Sequence, residues 1–376
     1  MKNKCMGLIN LDNMQNPSVN TLSEHRPVAT IPMAGRYRLI DFTLSNMVNS
    51  GITNVGIYSR QAYRSLNDHL GSGKDWDLSR KKGGLYVLSP ENTKNINNYA
   101  HRKGDIYTIL ANIDYIEKSP EEYIIVAAPY MISAIDYSDL LKYHKESNND
   151  ITVVYKRVDN ANKDFSNCNT LNIDKDNRVK NVGNNLKAFP SANIYMDTFI
   201  MKRTDFIECI YSIASMGTYS HIEDYIINQL NNIQVGAYKY DSYLKCINSL
   251  KSYYEASKEF LTEEVSKVMF KSDRKIFTKD KSQAPTIYKD NAEVRNSFIA
   301  TGCQIDGLVE DSTLFRKVEI EKGAQIKDCV IMQSCKIGEN AILENVILDK
   351  GVTITAGKVL KGDKDYPMVI EKGETV

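Results

Sequence analysis

No run of about 18 consecutive apolar residues occurs in the chain, which excludes a membrane-spanning helix on hydropathy. Met1, Lys2, Asn3 and Lys4 lead directly into a strand pattern and not into an apolar signal core, so no export signal is expected. The seven cysteines contain no C-x-x-C pair and are odd in number, which fits reduced thiols in a cytoplasmic protein better than a disulfide framework. Charge of one sign is missing as well. Lys and Arg number 48 against 47 Asp and Glu, a formal net charge of +1, so no broad basic field exists for DNA or RNA. Histidine is scarce, at His25, His69, His101, His144 and His221, and no His/Cys/Asp cluster has the spacing of a metal site. What remains is ordinary globular composition over 376 residues, 42% hydrophobic and 25% charged, enough for two domains.

The first 230 or so residues alternate strand and helix signals, the pattern of a Rossmann-like, mainly parallel sheet covered on both faces. Strands are expected at Cys5 to Asn10, Asn54 to Tyr58, Tyr123 to Ala128 and Ile151 to Lys156. Asp105 is expected to open a helix whose one face carries Ile106, Ile109, Leu110, Ile113 and Ile116. Further helices are expected at about Ser138 to Lys145 and Ser249 to Phe260, and a hairpin turn at Asp174 to Asn177.

Past Pro285 the period changes to six: Leu308, Leu314, Ile320, Ile326 and Met332, then Ile331, Ile337 and Leu343, then Ile342, Leu348 and Ile354. Small residues and glycines such as Gly323, Gly338 and Gly351 fall between them. This is the hexapeptide pattern of a left-handed parallel β-helix, in which stacked coils bury one column of apolar side chains per face. Hexapeptide acyltransferases need a base with a near-neutral pKa, and no histidine lies in the repeats, so that activity is excluded. The expected division is an α/β domain over 1–261, a linker over 262–284 and the β-helix over 285–376.

The C-terminal end of a buried parallel strand is where ligands and metals normally gather in an α/β sheet. Here Tyr123 to Ala128 runs into Pro129, Tyr130 and Met131 with no carboxylate. The segment IPMAGRYRLIDF from Ile31 to Phe42 and LSNMVNSGI from Leu44 to Ile52 resemble the P-x-G-G-K-Y-R-I-I-D-F and L-S-N-x-x-N-S-G-I strings of glucose-1-phosphate adenylyltransferases (ADP-glucose pyrophosphorylases). Leu66 to Gly73, Trp76 to Leu78 and Asn112 to Ile116 extend the resemblance over nearly the whole chain. It implies a nucleotidyltransferase domain joined to the β-helix. In that family the catalytic chains make ADP-glucose and pyrophosphate from ATP and glucose 1-phosphate. They do so with a backbone phosphate cradle, cationic side chains and Mg²⁺ held by aspartates.

The residues that would supply those parts have no counterpart here. The glycine-rich phosphate loop falls on Ile9 to Met14, where side chains obstruct close approach of the backbone to phosphate. Val28 stands at a lysine of the family, and Gly104, Asp105, Ile106, Tyr107 and Thr108 replace G-T-A-D-A. One metal aspartate falls within Ala127 to Tyr130 and the other on Cys246, whose thiol is a poor ligand for hard Mg²⁺. The sugar-phosphate lysine has no match near Val179 to Gly183 unless Lys180 or Lys187 substitutes. Within the family this pattern resembles the GlgD-type non-catalytic subunits of bacterial glycogen synthesis. That implies a regulatory chain with no catalytic residues and no metal of its own, Mg²⁺ being held by a catalytic partner in a heterotetramer; assembly of the chain with itself stays open.

The resemblance further implies a phosphate or sugar-phosphate effector bound by guanidinium groups, with Arg26 and Arg38 the matching residues and Arg36 and His25 weaker candidates. Two alternatives stay open. One is a sensor subunit whose cleft holds nucleotide or sugar without turnover; the other is an active nucleotidyltransferase that recruits Asp12, Glu223 and Asp224.

Overall fold

The computed structural model describes residues 4–12, 19, 21–24, 26–60, 63–90 and 104–376. Two compact units result, each assembled from separated stretches of chain. The first holds Met1–Asn16, Ile40–Cys246 and Arg274–Phe277; the second holds Pro17–Leu39, Ile247–Asp273 and Thr278–Val376. This grouping cuts the chain differently from segments 1–261, 262–284 and 285–376. The span expected as a linker contains a helix, Glu263–Phe270.

In the first unit a nine-stranded sheet runs in the order Val179–Asn184, Asn169–Ile173, Ala192–Lys202, Tyr123–Ala127, Cys5–Asn10, Asn54–Tyr58 and Gly84–Leu88. Ile151–Val158 pairs with Ala192–Lys202, and Val235–Lys239 pairs with Ile151–Val158. Cys5–Asn10, Asn54–Tyr58 and Tyr123–Ala127 are buried along their whole length, as near-continuous apolar runs require in a parallel sheet covered on both faces. The long Ala192–Lys202 strand runs antiparallel to its neighbours, and its register breaks between Tyr195 and Phe199. Such an irregularity re-aims side chains, and here it turns Asp197 to φ 44°.

The helix expected from Asp105 is two pieces, Asp105–Ala111 and Ile113–Glu117, interrupted at Asn112. Asp105 is not its cap. Gly104 occupies that position with φ 104°, and Asp105 is the first helical residue. A Cβ on Gly104 would lie 2.0 Å from the Ser220 carbonyl oxygen, so only glycine permits this approach. The Asp174 to Asn177 turn joins Asn169–Ile173 to Val179–Asn184 as an antiparallel hairpin. The tryptophan, Trp76, is buried with His69 edge-on to its ring.

The second unit contains three five-stranded parallel sheets, the faces of a β-helix. Ile305, Ile320, Ile337 and Ile354 align on one face, Val309, Ile326, Leu343 and Leu360 on the next, and Leu314, Ile331, Leu348 and Ile370 on the third. The interval is six across two corners and five across the other, as from Leu343 to Leu348, so an unbroken period of six drifts off the core. Leu308 and Ile342, expected inside, are half-buried, and their neighbours Val309 and Leu343 point inward. Helix Leu250–Glu259 of the same unit, capped by Ser249, lies against the corner between the second and third faces; the Tyr254 hydroxyl is 2.7 Å from the Asp328 carbonyl oxygen and 3.0 Å from Asn345 Oδ1 and donates its one proton within that pair. The hairpin Pro32–Met33 and Tyr37–Arg38 belongs here too, with Ala34 at φ 49° where the resembling motif has glycine.

The register makes a direct test. Leu343→Ala is expected to cost about 2–5 kcal/mol by cavity formation, whereas Ile342→Ala next to it costs about 1 kcal/mol or less. Urea unfolding of the two variants gives the comparison, and equal losses would contradict the alignment.

Candidate functional site

Beyond the C-terminal ends of the parallel strands in the first unit lies a row of buried carboxyl groups. Asn10, last residue of its strand, donates Nδ2–H to Asp105 Oδ2 at 2.6 Å, and the Ile222 amide donates to Asp105 Oδ1 at 3.1 Å. Thr108 Oγ1 donates to Asp12 Oδ2 at 3.2 Å. Burial raises Asp105 to about 7 and Asp12 to about 6, and the positive charge of Arg60 opposes the rise at Asp12. Asp12 is thus a buried acid that accepts from a threonine and is held above the ordinary carboxylate range.

The two positions that the resemblance assigns to metal aspartates come together. Met131, two residues past Pro129, pairs antiparallel with Cys246 in a two-stranded ribbon of Met131–Ser133 and Leu244–Cys246. Tyr130 is fully buried and donates its hydroxyl to Asp197 Oδ2 at 2.6 Å; the Ala128 amide donates to the Asp197 carbonyl at 3.1 Å. A hydrogen bond with Cys168, followed by burial, raises the Cys246 thiol well above its ordinary value. Burial also raises the Tyr130 phenol. Both groups stay neutral. Magnesium selects charged or carbonyl oxygen, so neither the Pro129 side chain, which has no ligand atom, nor the neutral Cys246 thiol fits it, and the neighbouring phenol is a poor substitute. Among the described residues no group of three or more His, Cys, Asp or Glu is arranged to hold a metal.

Behind Tyr130 stand Asp197 and Glu223, whose Oδ1 and Oε2 are buried without a hydrogen-bond partner among the described residues. Burial raises both, and each disfavours ionisation of the other. Of the carboxylates named for a divergent active site, Glu223 and Asp12 therefore lie in this row, while Asp224 is half-buried beside Glu223. Lys180 instead pairs with Asp174 at 3.1 Å on the hairpin, and Lys187 is exposed with φ 63°.

The second unit carries a separate cluster of cations. Arg26 is buried and ion-paired with Asp349, and its Nη1 has no hydrogen-bond partner among the described residues. Lys350, next in sequence to Asp349, is lowered to about 8 by burial and by the positive charges of Arg38, Arg26 and Lys281. Arg26 and Arg38 thus converge with two lysines that the sequence did not single out. Arg36 is exposed and lies over the Tyr37 ring at 5.5 Å. Val28 is buried in a 3₁₀ turn, Val28–Thr30. His25 lies outside the described residues.

Comparison with known proteins fits both units. Residues 19–265 match the nucleotidyl transferase family model, and residues 283–367 match a model described as GlmU-like, C-terminal hexapeptide. The chain belongs to the nucleotidyl transferase family. Among curated relatives of this family member, the glycogen biosynthesis protein GlgD of Bacillus subtilis (strain 168) is 32% identical over 371 residues, covering 99% of this chain and 96% of the relative. GlgD of Geobacillus stearothermophilus is 35% identical over 378 residues, with 99% and 97% covered. Glucose-1-phosphate adenylyltransferase of Bacillus anthracis is 29% identical over 378 residues, with 98% of each chain covered. The resemblance read from the motifs therefore extends to both the GlgD and the adenylyltransferase members of the nucleotidyl transferase family.

Asp105 and Asp197 escaped the sequence reading. Asp197 had a signal, a charge in the middle of the otherwise buried stretch from Ile194 to Met201. The buried row predicts a pH effect. Asp105 keeps its proton up to about 7 when folded, against an ordinary value of 3.8. Its contribution to stability is therefore complete below the unfolded value and is lost as pH rises through the folded one. Between about pH 5 and about pH 8 the urea midpoint of Asp105→Asn should fall less than that of the wild type; parallel falls would show that Asp105 does not hold this proton.

Proposed function

We propose that this chain is the regulatory, catalytically inactive subunit of a cytoplasmic glucose-1-phosphate adenylyltransferase of glycogen synthesis. In this reading it assembles with a catalytic chain, as a heterotetramer, and changes that chain's rate of making ADP-glucose. The observation that carries the reading is the pair Pro129 and Cys246, a side chain with no ligand atom and a buried neutral thiol, at the two positions that the resemblance assigns to the magnesium aspartates. Nucleotidyl transfer relies on charge stabilisation, and loss of one such contact costs on the order of a thousandfold. The catalytic partner would hold the Mg²⁺. Regulation then acts by biasing the partner's conformational equilibrium.

A second reading, effector sensing by the same subunit, draws on the convergence of Arg26, Arg38 and Lys350. Three cations with one carboxylate, Asp349, between them suit phosphate oxygens better than any neutral ligand. Phosphate or a sugar bisphosphate is the expected occupant.

Two experiments follow. ADP-glucose formation by the purified chain alone should be at background, and adding it to a catalytic chain should change that chain's rate; appreciable turnover by the chain alone would reject the proposal. For the effector, calorimetric titration with fructose 1,6-bisphosphate should give an affinity that drops as pH is raised through about 8, where Lys350 loses its proton. Lys350→Met should bind more weakly and lose this pH dependence, while Arg38→Ala should weaken binding about tenfold at every pH. Unchanged binding in both variants would remove this cluster from effector recognition.

A further inference from the structure

Away from the carboxyl row, the first unit has a crevice of about 830 Å³, within the size range of small-molecule sites. Lys4 and Cys5 at the start of a central strand border it, as do the turn from Asn49 to Ile52 and one side of the helix Tyr137–Ser147. Ile52, Ile125 and Leu141 supply apolar lining. Cys5 lines it as a neutral, unreactive thiol, because burial pushes it up to about 12.

The charges around this crevice are uneven. Lys142 and Lys145 stand one turn apart on the helix, and neither forms an ion pair with a described residue. The Lys145 ammonium lies over the Tyr123 ring at 5.0 Å, which holds it beside the opening. Lys4 adds a third cation, shared with Glu122 at 3.5 Å. Asp139, the one carboxylate in the lining, stands nearer the start of the helix, a turn before Lys142. The crevice is therefore apolar within and cationic at one end. A wholly apolar ligand would leave the two ammonium groups without a counter-charge, and a small hydrophilic anion would leave the apolar lining unfilled.

We propose that this crevice binds a small amphipathic anion. Its apolar body packs against Ile52, Ile125 and Leu141, and its carboxylate, sulfonate or phosphate sits between Lys142 and Lys145. The site is independent of the cation cluster around Lys350 and of any role in ADP-glucose formation.

Fluorescence titration of the intact chain with 8-anilinonaphthalene-1-sulfonate tests the anion, and the uncharged N-phenyl-1-naphthylamine tests the apolar body. One saturable site for the sulfonate is expected. The double variant Lys142→Glu with Lys145→Glu, both at exposed positions, should weaken the sulfonate at least about tenfold and the neutral probe about twofold or less. Leu141→Trp should weaken both by filling the space, and Lys350→Met should change neither. Thermal unfolding of each variant checks that it is folded. Absence of saturable sulfonate binding to the wild type, or binding that keeps its affinity in the folded double-glutamate variant, would overturn the proposal.

Discussion

A carboxyl group taken out of water needs a cation, hydrogen-bond donors or a proton. In the first unit the buried row from Asp12 through Asp105 to Glu223 and Asp197 receives chiefly the last two. Asn10, Thr108, Tyr130 and the Ile222 amide supply donors, and low polarity supplies the reason to stay protonated. Everything else at this strand edge is arranged around that solution. Gly104 brings its helix close to Ser220, and the irregular register of Ala192–Lys202 turns Asp197 toward Tyr130. A site built to neutralise charge internally differs in kind from one built to display charge to a metal and a triphosphate, even on the same strands.

The two units answer different chemical questions with different side chains. In the first, burial raises the acids toward their neutral forms; in the second, Arg26, Arg38 and Lys350 stand close together, at a cost visible in the depressed value of Lys350. Asp349 offsets part of that cost. A neutral cleft and a cationic pocket in one polypeptide are what a chain needs if it responds to a metabolite without transforming one.

Much of this was legible in the sequence. Cys5–Asn10 and Asn54–Tyr58 have the expected bounds because Val, Ile and Met buried on both faces leave no ambiguity of period, and Ser249 announces its helix through a capping box. The β-helix was legible as a repeat but not in its phase, since the five-residue corner alternates with six and shifts the inward position from Ile342 to Leu343. Absence of carboxylates at Pro129 and Cys246 could be read directly; the hydrogen bond from neighbouring Tyr130 to Asp197 could not, because it joins residues 67 positions apart. Lys350 was hidden for the same reason. It reads as a loop lysine until the fold sets it beside arginines more than three hundred residues earlier.

That last separation has a consequence for synthesis. Arg26 and Asp349 are 323 residues apart in the chain and belong to one compact unit. The segment Pro17–Leu39 leaves the ribosome some three hundred residues before its ion-pair partner does. Until then the nascent polypeptide carries a guanidinium destined for burial but still hydrated, together with an unfinished solenoid. Maturation of the second unit is thus a late, whole-chain event, in contrast to proteins whose modules fold one after another in order of emergence.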